Sequence, residues 1–402
     1  MAESKFPKNF LFGAATPAHQ VEGNNTNDWS EWEESPERIG DLKKRGLNPE
    51  EFISGKACDH YTRFREDFDI AGELGHTAHR FSIEWSRIEP MQGTFDEDAI
   101  AHYREVIKAL RERNIEPFVT LWHWPVPLWL RDIGGVESKE FPKFFERYVH
   151  KVVSELGSEV KFWITLNEPE IYASNSYFRG KWPPRKKNVF AYLKVLHHLI
   201  QAHRFAYTDI KKLKPEAQVG IAKNNVYFEA YQNTFINRAI KFAADWWWNQ
   251  YFLRRIKNYQ DFIGLNHYFH NRINLGFNKN ENKILSNMGW ELYPEAIHEV
   301  LMDLKQYDKP VYITENGLAD AKDEHRAWFI RQSLEQVDRA VSSGADVRGY
   351  LHWSLLDNFE WSDGFGPKFG LVEVDYKTLE RRVRPSAWEY KKLIENASQN
   401  EA

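Results

Sequence analysis

The sequence has little cysteine and no long apolar run, and these two absences narrow the class of protein. Cys58 is the only cysteine among 402 residues, so no disulfide can form within the chain, which fits a reducing compartment. No run of about 18 apolar residues occurs, and the first residues, MAESKFPKNF, lack the apolar centre of a secretory signal. We therefore expect a cytoplasmic protein without a membrane partner.

An excess of charge of either sign is also missing. The 54 basic residues are nearly balanced by 58 acidic ones, which gives a net charge of −4 at pH 7 and a pI of about 6.5. This balance provides no general attraction to nucleic acid or to an anionic membrane. We expect no nucleic-acid partner.

Motifs for cofactors and metals are absent as well. The chain contains no GxGxxG in a strand-to-helix turn, no GxxxxGK[ST] and no HExxH. His197, His198 and His203 share one helical stretch, but the first and last of them lie about 240° apart around a helix. We therefore predict neither a metal site nor a cofactor.

Aromatic residues, in contrast, are abundant. The chain has 16 Trp, 18 Tyr and 27 Phe, together 15% of its residues. An aromatic core accounts for many of them. The surplus of tryptophan favours a binding site with flat apolar walls, which suit sugar rings and nucleobases.

Short apolar runs alternate with helical patterns along the whole chain, and no Gly/Ser-rich or Pro-rich linker divides it. The predicted strands cover 10–16, 78–85, 116–124, 160–169, 218–225, 261–269, 311–316 and 347–356. The predicted helices cover 59–74, 96–114, 140–155, 189–213, 232–257, 294–306, 324–343 and 385–397. A chain of this length could form about two or three average domains. Eight successive strand–helix units instead favour one α/β domain over residues 1–402, a (β/α)8 TIM barrel.

In such a barrel the active site lies at the C-terminal ends of the strands. Two predicted strands, in ITLNEPE at 164–170 and VYITENG at 311–317, end in a glutamate beside an asparagine and a turn residue. Those glutamates are Glu168 and Glu315. The other polar and aromatic residues that close the strands or follow them are Gln20, Arg80, His123, Trp124, Asn167, Asn266, Tyr268, Trp353, Glu360 and Trp361.

A pair of carboxyl groups at one site suits the cleavage of a glycosidic bond. The reaction needs a proton for the departing oxygen and a partner for the cationic anomeric carbon. A neighbouring carboxylate raises the pKa of one glutamate, and a cation or hydroxyl donor lowers the pKa of the other. Arg80 and Tyr268 are available as such donors. We therefore predict a glycosidase site that contains Glu168 and Glu315.

Each residue has a plainer explanation when it is considered alone. Glu168 could be an exposed rim residue or a helix cap, His123 a core histidine, and Gln20 part of a turn. Trp353 and Trp361 could belong to the core at the cap of the barrel. Their joint occurrence at strand ends favours contact with a ligand.

These motifs resemble those of glycoside hydrolase family 1, the group of β-glucosidases and β-galactosidases. TLNEP is similar to the family's acid/base motif and ITENG to its nucleophile motif, while HWSLLDNFEW followed by KFGLVEVD is similar to its sugar-binding signature. The resemblance extends from FPKNFLFGAATPAHQVEG to RRVRPSAWEYKKLI and so covers nearly the whole chain.

The resemblance implies roles for individual residues. Glu168 would be the general acid/base and Glu315 the nucleophile, so that the anomeric configuration is retained through a covalent glycosyl-enzyme. Arg80 and Tyr268 would hold Glu315 ionised, and Asn167 would bind the sugar 2-hydroxyl group. By the same resemblance, the other contacts with the sugar would come from Gln20, His123, Trp353, Glu360, Trp361 and Phe369. To these we add Trp124 and Asn266, which close their predicted strands, and Trp290 as a contact with the aglycone.

We therefore predict a retaining exo-β-glycosidase whose substrate is a small oligosaccharide or an aryl or alkyl β-glycoside. The sugar would be glucose, with galactose and fucose also accepted. Two alternatives stay open: a transglycosidase, in which a sugar hydroxyl replaces water, and a catalytically silent carbohydrate-binding barrel. The presence of both glutamates argues against the silent barrel. The sequence does not specify the oligomeric state.

Overall fold

A computed structural model describes residues 6–399 of the chain. Eight strands, each parallel to its neighbours, form a closed barrel, and we label them β1 to β8 in chain order. Their bounds are Leu11–Thr16, Ala78–Ser82, Glu116–Thr120, Phe162–Asn167, Gln218–Asn224, Ile263–Asn266, Val311–Asn316 and Val347–Trp353. Each strand is hydrogen-bonded to the next, and β8 closes against β1. The predicted (β/α)8 barrel is confirmed.

Helices lie between the strands, and side-chain caps start two of the longest. Asp96 accepts a hydrogen bond from the N–H of Ala99, and Asn188 accepts from the N–H of Phe190, so each satisfies a free N–H group of the first turn. The main helices are His60–Glu73, Glu97–Glu112, Phe141–Leu156, Val189–Leu213, Phe235–Asp245, Tyr251–Ile256, Ala296–Leu304, Arg326–Ser342 and Pro385–Gln399. The other helical segments, most of them in the loops, are Ala18–Val21, Asp28–Glu33, Pro36–Lys44, Pro49–Phe52, Trp85–Ile88, Leu128–Asp132, Gly135–Glu137, Pro169–Ala173, Ser174–Phe178, Tyr231–Asn233, Trp246–Gln250, Lys305–Tyr307 and Trp361–Asp363.

The segment between β5 and β6 differs from the single helix predicted over 232–257. It contains two helices, Phe235–Asp245 and Tyr251–Ile256, joined by a π-helical turn at Trp246–Gln250. A short π-helical turn, with i→i+5 hydrogen bonds, occurs as a rare single turn within an α-helix, and the helical pattern of the sequence does not show where it lies.

Two small sheets outside the barrel were not predicted. Tyr227–Ala230 pairs in parallel with His270–Ile273, and Val372–Val374 pairs antiparallel with Arg381–Val383. The strands of the first sheet follow β5 and β6 after short gaps, so the sequence pattern merges them with the barrel strands or with the loops beyond.

The interior of the barrel is apolar near the starts of its strands. The rings of Phe118 in β3 and Phe162 in β4 stack with their centroids 4.2 Å apart. The buried cluster around them consists of Ala78, Phe118, Phe162, Ile164, Ala222, Phe262, Tyr312 and Leu351. This cluster fills the interior of the barrel near the N-terminal ends of the strands. The space for inward-facing polar side chains is therefore at the C-terminal ends.

Gly13 in β1 lies so close to β2 that a Cβ atom would be 1.7 Å from the carbonyl oxygen of Ala78. We expect Gly13→Ala to lower the free energy of unfolding by about 1–3 kcal/mol, because the added methyl group forces the packed strands apart. Thermal unfolding followed by circular dichroism measures the change. Gly40→Ala is the control, since nothing lies within 4 Å of its added Cβ. An unchanged unfolding midpoint for Gly13→Ala would contradict the close contact.

Three further observations concern membranes, metals and cysteine. Within residues 6–399, no helix has the length and apolar character needed to cross a membrane. In the same range, no three His, Cys, Asp or Glu side chains form a group that could hold a metal ion. Cys58 is buried and carries a free thiol.

Candidate active site

Glu168 and Glu315 lie at the C-terminal ends of β4 and β7, and their side chains are buried. Glu168 follows the last residue of β4 with a left-handed backbone (φ 40°), and its N–H donates to the carbonyl oxygen of Ala222 at 2.8 Å. Asn266, which closes β6, is in register with Glu315 and donates to Glu168 Oε1 at 3.1 Å. Asn266, on one of the two strands between β4 and β7, thus contacts Glu168 and adjoins Glu315, and the two glutamates lie at one end of the barrel as predicted.

Glu315 is held by a cation and a hydroxyl group. Arg80 Nη1 donates to Glu315 Oε1 at 2.5 Å, and the Tyr268 hydroxyl donates to Glu315 Oε2 at 2.8 Å. The guanidinium of Arg80 is itself buried and fixed by a hydrogen bond from its Nε to Thr120 Oγ1 at 3.0 Å. Both carboxylate oxygens of Glu315 therefore accept hydrogen bonds from fixed donors.

Glu168 has neutral partners instead. The side-chain amides of Asn224 and Asn266 each donate to Glu168 Oε1 at 3.1 Å. The amide of Asn266 is oriented by Thr314, whose hydroxyl donates to Asn266 Oδ1 at 2.7 Å. Both of these hydrogen bonds are therefore accepted by the same oxygen, Oε1.

The two carboxyl groups respond differently to burial. Burial raises the pKa of Glu168 to about 8, and the nearby Glu315 carboxylate acts in the same direction. Burial also raises the pKa of Glu315, but Arg80 and the Tyr268 hydroxyl oppose that shift. The lowering effect predicted for these two donors is present, but burial outweighs it, so the net shift of the Glu315 pKa is upward. The contrast between the two groups remains, since no cation within residues 6–399 forms an ion pair with Glu168, whereas Arg80 contacts Glu315.

Asn167 connects Arg80 to His123, which follows β3. Its Oδ1 accepts from Arg80 Nη2 at 2.7 Å, and its Nδ2 lies 3.0 Å from His123 Nε2. Burial lowers the pKa of His123 well below its ordinary value, and Arg80 adds to this effect. A neutral His123 can accept the hydrogen bond from Asn167 at Nε2, which leaves the Nδ1 proton for another partner.

The sequence profile described as Glycosyl hydrolase family 1 matches residues 2–253 and 228–399. The chain belongs to glycosyl hydrolase family 1. It is similar to a 1,4-beta-D-glucan glucohydrolase of Thermotoga neapolitana, with 32% identity over 98% of each chain. This family 1 protein is accordingly a glycoside hydrolase.

Solved structures of family 1 enzymes have the same fold. A beta-glycosidase from Pyrococcus horikoshii superposes with a TM-score of 0.89 and 40% identity, covering 99% of this chain and 96% of that chain. A beta-glucosidase from Thermotoga maritima, in complex with deoxynojirimycin, gives a TM-score of 0.88 and 31% identity, covering 98% of this chain and 99% of that chain. These values confirm the resemblance stated from the motifs.

Gln20 and Glu360 form the polar side of this family 1 site. Gln20 Nε2 donates to Asn358 Oδ1 at 2.8 Å and to the carbonyl oxygen of Phe359 at 2.7 Å, and it lies 3.4 Å from Glu360 Oε2. Gln20 Oε1 is buried without a hydrogen-bond partner among residues 6–399. Burial raises the pKa of Glu360 well above its ordinary value, and Asp363 and Glu315 add to the shift. Both groups can therefore bond a polar ligand.

Tryptophans form a wall next to these polar groups. The rings of Trp361 and Trp124 lie 4.6 Å apart, and both pack against Trp182. His123 lies between the wall and Trp353, with its ring stacked at 5.8 Å from Trp361 and 6.1 Å from Trp353. The indole N–H of Trp124 donates to the backbone oxygen of Asn167, which places Trp124 behind the residues that line the site.

A second group of aromatic side chains, which begins at Tyr268, lies near Glu315. The ring of Trp290 lies 5.9 Å from that of Tyr268 and 6.1 Å from that of Phe369. Phe369 also belongs to the buried cluster of Trp353. Hydrogen bonds and ring contacts therefore link twelve of the predicted residues, and the other two, Gln20 and Glu360, contact each other at 3.4 Å, while the role of each residue stays a prediction.

The sequence reasoning missed Asn224, Lys223 and Glu170. Asn224 closes β5 and donates to Glu168, so the strand-end argument applied to QVGIAKNN would have found it. Lys223 and Glu170 form a buried ion pair at 3.3 Å, and nothing in the local pattern indicates that their side chains meet.

Proposed function

We propose that this family 1 glycosidase releases the terminal sugar from short β-glucosides, and from β-galactosides and β-fucosides, with retention of configuration. The observation that carries the proposal is the contrast between two buried carboxyl groups at one site. Glu315 contacts the cation of Arg80 and the hydroxyl of Tyr268, whereas Glu168 contacts two neutral amides. One group is thus suited to attack and the other to carry a proton.

In the first step, Glu315 attacks the anomeric carbon and Glu168 donates its proton to the departing oxygen, which gives a glycosyl-enzyme ester and a free alcohol. In the second step, Glu168, now ionised, takes a proton from water, which attacks the same carbon and releases Glu315. The sign of each charge fits these steps. Arg80 and Tyr268 stabilise Glu315 as an anion, and loss of the Glu315 charge in the ester lowers the pKa of Glu168.

The surrounding residues would bind the sugar at the nonreducing end. Hydroxyl groups would be bound by Asn167 and Asn266 next to the glutamates and by Gln20, His123 and Glu360, with Trp361 and Trp353 against the ring faces. Trp124 would support this wall, Phe369 would lie near the sugar's 6-position, and Trp290 would contact the aglycone. The Thermotoga maritima relative in complex with deoxynojirimycin supports a sugar-like ligand. The carboxylate of Glu360 disfavours a 6-phosphorylated sugar.

The most informative test is kinetics on a panel of nitrophenyl glycosides, with NMR of the first-formed anomer of the sugar. We expect the β-glucoside to be cleaved with the β-anomer released first. Release of the α-anomer would contradict retention, and cleavage confined to α-glycosides would contradict the substrate class.

The proposal also predicts how kcat/KM depends on pH. Activity requires protonated Glu168 in the free enzyme, and its pKa is raised to about 8. The protonated form therefore predominates below about pH 8, and kcat/KM should fall as pH rises through that value. A pH–rate profile measures this limb. The limb should be absent from Glu168→Gln assayed with an activated aryl glycoside; its persistence there would assign it to another group.

The cellular location is proposed on different grounds. The single cysteine, Cys58, is buried as a free thiol, which suits a reducing cytoplasm. We also infer that the chain forms one domain, because one barrel accounts for all eight major strands. Cell fractionation and limited proteolysis test these two points.

A further inference from the structure

Lys223 is a fully buried lysine next to the candidate acid/base. It precedes Asn224 at the end of β5, and its side chain has no exposed surface. Its ammonium group donates to the carbonyl oxygens of Asn224 at 2.6 Å and Trp248 at 2.8 Å, and it lies 3.3 Å from Glu170 Oε1. Two of these contacts are hydrogen bonds to backbone oxygens, and the third is an ion pair with a buried carboxylate that has no other hydrogen-bond partner among residues 6–399.

Glu170 is the matching anion. Its side chain is only 2% exposed, and Lys223 is its salt-bridge partner. Burial raises the pKa of Glu170 and lowers the pKa of Lys223, and each charge opposes the shift of the other. A buried ion pair adds little net stability, because desolvation of both groups offsets their attraction. Stability alone therefore gives no reason for a lysine and a glutamate at these two positions.

The pair connects the two elements that hold the carboxyl group of Glu168. Glu170 lies on the helix Pro169–Ala173, which begins directly after Glu168. Lys223 adjoins Asn224, whose amide donates to Glu168 Oε1 at 3.1 Å. Asn224 Oδ1 lies 3.4 Å from the indole nitrogen of Trp248, the residue whose carbonyl oxygen Lys223 also binds. Lys223 therefore binds the backbone of Asn224, whose amide contacts Glu168, and the backbone of Trp248, whose indole lies next to that amide.

We propose that Lys223 and Glu170 are positioning residues, which hold the Asn224 amide on Glu168 and balance the charge beside that carboxyl group. The inference rests on the proposed role of Glu168 as acid/base. Neither residue touches the substrate, so both act through Asn224 and through the local electric field. Their charges are opposite, so removal of one or the other changes the protonation of Glu168 in opposite directions.

Substrates with different leaving groups test the positioning role. A 2,4-dinitrophenyl β-glucoside needs no proton for departure, whereas an alkyl β-glucoside does. We expect Lys223→Met/Glu170→Leu to lower kcat/KM on the alkyl glucoside about tenfold more than on the dinitrophenyl glucoside, as part of the roughly 10²–10⁴-fold contribution of a general acid. This double variant replaces the pair by apolar groups, a change that buried ion pairs often tolerate without loss of stability.

The single variants test the electrostatic role. Glu170→Gln leaves the lysine cation near Glu168, which favours the ionised carboxylate, so the basic limb of the kcat/KM profile should move to lower pH. Lys223→Met removes that cation and should move the limb to higher pH. Limbs that move in the same direction, or do not move, would overturn the electrostatic part.

Asp67→Asn is the matched control. Asp67 lies on the helix His60–Glu73, outside the barrel, and the substitution weakens its buried ion pair with Arg381. It should affect both substrates equally. Equal losses on both substrates in the Lys223 and Glu170 variants would overturn the inference, provided that Glu168→Ala shows dependence on the leaving group. If Glu168→Ala shows no such dependence, the proposed function itself is wrong and the inference falls with it.

Discussion

Glu315→Ala is expected to lower kcat on 4-nitrophenyl β-glucoside by a factor on the order of 10⁴–10⁶, the range observed when an enzyme loses its nucleophile. The variant cannot form the glycosyl-enzyme ester, and water is not positioned to replace the carboxylate. KM should change far less than kcat, because the proposed sugar contacts of Gln20, Glu360 and the tryptophan wall are unaltered in this variant. Steady-state kinetics measures both constants, and circular dichroism checks that the variant, which leaves Arg80 without its partner, is folded.

Azide provides a second readout at the same position. In Glu315→Gly, azide can occupy the space of the missing carboxylate, attack the anomeric carbon from that face and give an α-glycosyl azide. Glu373→Ala, at an exposed position on the strand Val372–Val374, is the control and should retain full activity. A β-glycosyl azide from Glu315→Gly, or turnover like that of Glu373→Ala, would contradict the role of nucleophile.

The barrel and the location of its site follow from patterns that are local in sequence. Each barrel strand is a short apolar run, and a parallel barrel places all strand ends at one edge. The two glutamates were therefore predicted at one site although they are far apart in the chain, and the structure confirms that Arg80 and Tyr268 contact Glu315. The strand-end rule explains why the two glutamates are predicted at one site, because it needs only the end of each strand and no tertiary detail. The assignment of Arg80 and Tyr268 to Glu315 rested on the family resemblance.

The electrostatic balance of the site could not be predicted in the same way. Whether burial or a nearby cation controls the pKa of Glu315 depends on how completely water is excluded, and that is a property of the packed fold. Lys223 and Glu170 show the same limit. A lysine in a strand and a glutamate in the first turn of a helix are ordinary surface residues, and the helix dipole favours the glutamate. Only the packing of β5 against the helix Pro169–Ala173 buries both.

For Glu168, the loss of kcat/KM caused by a substitution should depend on the leaving group of the substrate. Glu168→Ala is expected to lower kcat/KM on an alkyl β-glucoside by about 10²–10⁴-fold, the usual contribution of general acid catalysis. On a 2,4-dinitrophenyl β-glucoside the first step should proceed almost normally, because the departing phenolate needs no proton. The second step should then limit turnover, since no base activates water, and the glycosyl-enzyme should accumulate. A burst of dinitrophenol in stopped-flow measurements detects this accumulation.

Azide should restore turnover of Glu168→Ala, because it is a nucleophile that needs no general base. It attacks the glycosyl-enzyme from the face opposite Glu315, so the product should be a β-glycosyl azide, the opposite anomer to that expected from Glu315→Gly. Proton NMR of the two products distinguishes them. Asn224→Ala is the matched variant, because it removes a hydrogen bond to Glu168 Oε1 but keeps the carboxyl group, so azide should not accelerate it. An α-azide from Glu168→Ala would exchange the two roles, and equal losses on both glucosides would show that Glu168 does not protonate the leaving group.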